Sequence, residues 1–381
     1  MRTRHTVLRA GAHCACFLRR KSEDYSRLHY VLLISLLTAL AAAACTPAAP
    51  PPSTAAPGPA TLTIMTHDSF AVSEAVIAQF EAANHATVKI LKANDAGSAL
   101  NQAILSKGNP LADVFFGVDN TFLSRALESD IFEPYQSPRL ADIPADLQLD
   151  PQFRLLPVDF GYVCLNYDKQ WFADKQLPTP QTLEDLVEPA YKGLLVVENP
   201  ATSSPGLAFL LASVAHFGPD NYLTWWQGLR ANDVLVSDDW EDAYYTHFSG
   251  SSGKGPRPLV VSYATSPAAE VFFSEGAVTT PPTGNILPAG ASFRQIEFVG
   301  ILEGTPNRDL AAAWIDFMLS PAFQEDIPLQ MFVYPANRTA RLPDLFQQFA
   351  AVPDTPASLP AETISQQREA WLDAWTTAVL R

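Results

Sequence analysis

The densest chemical cluster in the chain is Asp238-Asp239-Trp240-Glu241-Asp242-Ala243-Tyr244-Tyr245, where carboxylates adjoin aromatic rings. Trp240 and Tyr244 are four apart, so a helix puts both rings on one face. An aromatic face beside carboxylates attracts an organic cation, by about 1–2 kcal/mol per ring once water is excluded. The same residues also suit a helix start rich in acids whose rings turn into the core. Tyr244 and Tyr245 offer a second chemistry, because phenolate and carboxylate oxygens bind ferric iron. Neighbours on a regular helix point apart, so joint ligation requires a distorted turn.

Other reactive residue types recur in short polar clusters. Thr66-His67-Asp68-Ser69, Asn94-Asp95, Gly117-Val118-Asp119-Asn120 and Tyr263-Ala264-Thr265-Ser266 each follow an apolar run and precede a helical pattern. Thr202-Ser203-Ser204-Pro205-Gly206 opens an apolar helix. Ser203 or Ser204 suits its cap and Pro205 its first turn. Exposed N–H groups and hydroxyls at such a start also hold phosphate or carboxylate. His67, beside Asp68, is the histidine best placed for a site; His85, His216 and His247 have no metal-ligand spacing. Cys164 alternates with Tyr162 along a strand pattern. A lone thiol is a candidate nucleophile, but a small buried strand residue is the plainer reading. Ser-Gly-Lys-Gly at 252–255 lacks the Ser or Thr and the leading strand of a phosphate-binding loop, and no Gly-x-Ser-x-Gly elbow is present.

The elements that must position these clusters alternate along the chain. Strands are expected near 61–65, 88–91, 112–117, 163–165, 194–198, 234–236, 259–263 and 295–301. Helices are expected from about 73, from a Ser98 cap, and near 121–128, 205–216, 221–231, 239–248, 308–319 and 363–379. Alternation of this kind predicts an α/β fold with largely parallel sheets. Ligands of such sheets sit beyond the carboxyl ends of strands, beside helix starts, which is where the polar clusters fall.

Composition narrows the partners. The first 30 residues hold seven basic and two acidic residues; the remainder holds 18 basic and 38 acidic, a net charge of −20. That balance argues against nucleic acid or an anionic membrane surface and is compatible with a cationic ligand. Three of the four cysteines (Cys14, Cys16, Cys45) precede residue 46, so the body has no disulfide framework and no cysteine metal site. No cofactor motif is present. The apolar run 31–44 ends in Ala42-Ala43-Ala44-Cys45, after Arg19, Arg20, Lys21 and Arg27. This is the pattern of a lipoprotein signal peptide (1–44), cut before a lipidated Cys45. An uncleaved anchor helix is the alternative. Residues 46–60, nearly all Pro, Ala, Ser, Thr and Gly, read as an extended tether. Residues 61–381 form the body.

Taken in order, Thr66–Phe70, Ala112–Asn120, Val158–Tyr162, Asn199–Leu207, Trp240–Tyr244, Val261–Pro267, Val333–Asn337 and Gln366–Trp371 resemble the thiamine-binding proteins of ABC importers. The resemblance implies a two-lobed, type II periplasmic-binding-protein-like fold that closes on ligand. It places one lobe at about 61–158 with a segment returning after about 264, and the other at about 159–263 with the C-terminal helices. Carried over, it implies that Trp240, Tyr263 and Phe332 stack on the ligand rings, with Phe332 in place of a family Trp. Asp95, Ser203 and Ser204 become polar contacts, and the helix-start Ser/Thr cluster would hold the phosphate of a phosphorylated form. His67 stands where the family commonly has Tyr, and Glu74 where an aromatic is usual, which leaves the ligand form open. His67, Asp68, Asp119 and Tyr244 complete the expected ligand-binding set. The expected protein is a monomeric lipoprotein that captures thiamine or a thiamine phosphate for a permease and ATPase, without catalysis. A ferric-iron binder using Tyr244 and Tyr245, and a thiamine-cleaving enzyme using Cys164, remain as rivals.

Overall fold

The computed structural model describes residues 58–250 and 255–381. The expected signal peptide, Cys45 and all but the end of the tether lie outside these residues, as does most of the 252–255 loop. Among the described residues, no helix is long and apolar enough to cross a membrane.

Among the described residues, eleven strands form one mixed sheet: β1 (Ala60–Thr66), β2 (Ala86–Lys92), β3 (Val114–Asp119), β4 (Phe132–Glu133), β5 (Leu156–Asp168), β6 (Leu195–Glu198), β7 (Leu235–Ser237), β8 (Leu259–Tyr263), β9 (Thr283–Ile286), β10 (Phe293–Leu302) and β11 (Tyr334–Pro335). The order is β2-β1-β3-β10-β5-β8-β6-β7, with β4 added to β10 and both β9 and β11 added to β5. The sheet is not largely parallel, as the element pattern had suggested. Parallel pairing is confined to β2-β1-β3 on one side and β8-β6-β7 on the other. The centre, β3-β10-β5-β8, is antiparallel throughout. Two long strands, β5 and β10, therefore carry the chain between two parallel flanks, and their near-continuous burial follows from being covered on both faces.

Burial explains the helices. Ser204–Phe217 is apolar all round and its residues Ser204 to Val214 are all buried, because it packs against β5, β6, β8 and β10 at once. Arg308–Met318 instead buries one stripe, Ala311, Ala312, Trp314, Ile315 and Met318, and leaves Arg308 and Asp309 exposed. Ala361–Val379 packs against both the Tyr222–Ala231 and Leu123–Glu128 helices through Ile364, Trp371, Leu372 and Trp375.

Two local features place the functional groups. The helix Ala96–Leu105 is capped by Asp95 rather than by Ser98, which lies inside it. Asp95 Oδ1 accepts from Ala96 N at 2.6 Å, and the preceding Asn94 lies in the left-handed region (φ 58°). Gly97 then lets that start approach the next segment: a Cβ there would lie 2.7 Å from the Thr202 carbonyl oxygen. The starts of the Ala96–Leu105 and Ser204–Phe217 helices are thereby brought together.

Candidate functional site

The strand ends converge on a cavity of about 700 Å³. Its floor is the crossing pair β5 and β10, and its walls are the polar clusters that follow β1, β2, β7 and β8. This is a volume suited to a small organic molecule.

One wall is aromatic. Trp240 and Tyr244 are stacked, with ring centroids 5.1 Å apart and planes 20° from parallel. Tyr263 approaches Trp240 edge-on at 6.2 Å, and Tyr245 does so at 5.6 Å. The rings are held from behind. Trp240 Nε1 donates to Ser262 Oγ at 2.9 Å, Tyr244 Oη donates to Glu270 Oε1 at 2.8 Å, and Tyr263 Oη donates to Gln295 Oε1 at 3.1 Å. Gly161 leaves room for the Tyr263 ring: a Cβ there would be 3.3 Å from Tyr263 Cδ1. Opposite, Phe332 lies beside Phe273 (5.3 Å) and stacks on Phe346 (6.1 Å, 12°). Phe332 has φ 58°, a conformation that costs a bulky side chain on the order of 1–3 kcal/mol. The surrounding rings hold it there, on the cavity wall.

The turn carrying Tyr244 and Tyr245 is a π-helical segment, Asp242–His247, in place of the regular helix expected over 239–248. The wider turn leaves the two tyrosine rings at 86° to one another, 5.4 Å apart. Tyr244 is buried, and burial and then the charge of Glu270 hold its phenol well above the ordinary pKa. That opposes the phenolate an iron site would use and suits a neutral stacking ring. Among the described residues, no group of three or more His, Cys, Asp or Glu is arranged to hold a metal ion.

The floor and remaining walls are acidic. Among the described residues, Asp68, Asp95, Asp159, Asp239, Glu241, Glu270 and Glu297 all line the cavity, against one lysine, Lys92, and no arginine. Asp159 and Glu297 face each other across β5 and β10, and Glu297 faces Asp119 across β10 and β3. Three carboxylates thus stand in a row across the crossing strands, an arrangement that like-charge repulsion disfavours. Both Asp159 carboxylate oxygens are buried without a hydrogen-bond partner. Burial, and then Glu297, push the Asp159 pKa well above the usual range. His67 Nε2 lies 3.3 Å from Glu297 Oε1. Burial alone would lower the His67 pKa, but the Glu297 charge and hydrogen bond outweigh it and the net shift is upward. Gly117 (φ 105°) makes room for that ring, which a Cβ would overlap.

Of the ten expected ligand-binding residues, eight line the cavity: His67, Asp68, Asp95, Ser204, Trp240, Tyr244, Tyr263 and Phe332. Asp119 and Ser203 do not. Asp119 is fully buried behind the wall, accepting from Thr121 N (2.7 Å) and Thr121 Oγ1 (2.5 Å), and burial pushes its pKa up to about 6. Ser203 is the cap residue of its helix but makes no side-chain capping bond. Asp95 supplies that acceptor instead. Cys164 is also outside the cavity: it is fully buried in a cluster with Tyr162 and Phe346, and burial raises its thiol far above the ordinary value. It is a packing residue, not a nucleophile in the cleft. Glu74 is the first residue of the Glu74–Asn84 helix and does not line the cavity. The residues that the sequence reading missed are Asp159, Glu270, Gln295, Glu297 and Phe273. Glu297 had a visible signal, an acid in the middle of an apolar strand pattern. Asp159 carries the same signal, within the Val158–Tyr162 segment that bears the resemblance.

Comparison with known proteins gives a consistent result. Residues 109–356 match the family of bacterial extracellular solute-binding proteins. The chain is 33% identical to the thiamine-binding periplasmic protein of Salmonella typhimurium, over 84% of this chain and 94% of that one. It is also 33% identical to the thiamine-binding periplasmic protein of Escherichia coli, over the same shares. Among solved structures it is similar to a periplasmic thiamin binding protein, with a TM-score of 0.73 and 28% identity over 84% of this chain and 96% of that one. The two parallel flanks joined by β5 and β10 are the two-lobed, type II periplasmic-binding-protein arrangement.

Proposed function

We propose, for a chain that belongs to the bacterial extracellular solute-binding protein family, that the cavity captures thiamine and that the loaded protein delivers it to a membrane permease and its ATPase. The observation that carries this reading is the pairing of the Trp240–Tyr244–Tyr263 rings with seven acidic side chains around the cavity. Thiamine presents a fixed thiazolium charge and a flat aminopyrimidine. Rings attract the charge through their faces, and carboxylates attract it directly and accept from the amine. Closing the cleft removes water and strengthens each interaction. No step of this function makes or breaks a covalent bond, and Cys164 has no part in it. Calorimetric titration with thiamine tests the reading: one-site binding supports it, and absence of heat with thiamine, its monophosphate and its diphosphate overturns it.

The lobes we assign are 61–158 with a later returning segment, and 159–263 with the C-terminal helices. Because β9 pairs with the same far end of β5 that β8 pairs on its other edge, we place the return at β10 rather than directly after residue 264. The hinge is then β5 and β10, with Asp159 and Glu297 at the crossing. The working unit we propose is a monomer, since residues of one chain suffice to line the cavity. Outside the cytoplasm, we propose that lipid on Cys45 anchors the protein to the cell membrane, with residues 46–60 as the tether. Cys45→Ala is expected to move the protein from the membrane fraction to the soluble fraction while thiamine binding is unchanged. A variant that stays in the membrane fraction contradicts the anchor.

A further inference from the structure

On the cavity floor, Asp159 of β5 is fully buried, and neither of its carboxylate oxygens meets a hydrogen-bond donor among the described residues. Glu297 of β10 stands directly opposite, and the two carboxyl groups are within hydrogen-bonding reach of each other. Two buried carboxylates this close do not both stay ionised without a cation or a proton between them. The other groups that face the pair leave Asp159 without a countercharge. His67 Nε2 lies 3.3 Å from Glu297 Oε1. Burial opposes a charge on His67, Glu297 and Asp95 favour it, and Lys92 opposes it. Lys92 itself donates to the Asp68 carbonyl at 2.6 Å. Asp119 faces Glu297 from β3 and adds another acid. Tyr263 of β8 donates to Gln295, and burial, then the charges of Glu297, Asp95 and Asp119, keep its phenol neutral. On β11 the residue beside Asp159 is Pro335, which carries no charge.

We propose that Asp159 and Glu297 share one proton in the empty cleft and surrender it when the organic cation binds, so that capture is an exchange of a proton for the cation. The step balances. The O–H bond of the protonated carboxyl breaks, the proton passes to solvent, and the fixed charge of the ligand takes its place beside the two carboxylates. The pair carries a single net negative charge when empty, and the same net charge together with the bound cation. The cleft therefore never holds two uncompensated buried charges, which is the costly state. Burial, and then Glu297, favour the protonated form of Asp159, as the exchange requires. A neutral ligand cannot replace the proton, so the pair selects for a fixed positive charge. The inference rests on the thiamine reading and deepens it, by placing the charge of the ligand at the crossing of β5 and β10.

Calorimetric titration of the full chain with thiamine at neutral pH, repeated in buffers of low and high ionisation enthalpy, counts the protons exchanged. The wild-type protein is expected to release about one proton per thiamine bound, and Asp159→Asn and Glu297→Gln to release about 0.2 or fewer. His67→Gln is expected to keep the release near about one, which separates the carboxylate pair from the histidine. Circular dichroism shows whether the variants are folded, and the wild-type count decides if they are not. Wild-type binding without proton release overturns the inference, as does unchanged release in Asp159→Asn or loss of release in His67→Gln. A second arm needs no ligand. The infrared spectrum of the empty wild-type protein minus that of Asp159→Asn is expected to show the carbonyl stretch of a protonated carboxylic acid, shifted in heavy water; its absence overturns the shared proton. This arm decides even if thiamine gives no heat, a result that would overturn the thiamine reading separately.

Discussion

Replacing Trp240 with alanine is expected to weaken thiamine binding at least about tenfold, equivalent to about 1.4 kcal/mol. Trp240 is the centre of the aromatic wall: Tyr244 lies flat behind it, and Tyr245 and Tyr263 meet it edge-on. Removing it takes away one π-face and leaves Ser262 Oγ without the indole donor. It also removes the ring stacked on Tyr244, which stays held by Glu270 and Phe248. Trp240→Phe keeps a face but loses the N–H, so its loss should be smaller than that of the alanine variant. Calorimetry on the three proteins checks the order. Wild-type affinity in Trp240→Ala contradicts a stacking role.

Asp159→Asn is expected to stabilise the ligand-free protein and to weaken thiamine binding together. The Asp159 pKa is higher in the folded chain than its ordinary value of about 4. A carboxyl shifted this way contributes stability below its unfolded pKa, and that contribution is lost as pH rises through the folded value. Asp119, raised to about 6, has the same sign. His67, also raised, contributes stability below its unfolded pKa and loses it as pH rises further. The ligand-free protein should therefore melt at progressively lower temperature as pH rises from about 4 through neutrality. Asp159→Asn removes the buried like-charge pair with Glu297 and should gain on the order of 1–3 kcal/mol at pH 8 and little at pH 4. A bound cation favours the ionised carboxylates, so thiamine affinity should rise over the same pH range, and the asparagine variant should lose about tenfold at pH 8. Thermal melts and titrations at both pH values measure these effects. A lower melting temperature for Asp159→Asn at pH 8 contradicts this account of the carboxylate row.

Much of this was legible in residue order. Strand cores such as Leu259–Tyr263 carry their own apolar pattern, and the helix start at Ser204 carries its own proline. Trp240, Tyr263 and Asp95 were marked by residue type and by position at strand ends. What residue order does not carry is pairing. That β5 and β10 run antiparallel through the centre, and so bring Asp159 opposite Glu297, depends on contacts more than a hundred residues apart. Glu270 belongs to the site because its helix passes behind Tyr244, a tertiary fact. The Ser203-Ser204 start suggests its own cap in residue order, but the acceptor, Asp95, arrives from a remote segment. The π-helical turn at Asp242–His247 likewise follows from packing, since no local breaker marks it.

The central claim is that aromatic faces and carboxylates from distant segments enclose a flat vitamin cation. Isothermal titration of thiamine into the purified protein at neutral pH, run beside Trp240→Ala, measures it most directly. The account predicts saturable heat at one molecule per chain and a loss of at least about tenfold in the variant. No saturable heat in the folded wild-type protein, or equal affinity in the two, would contradict it.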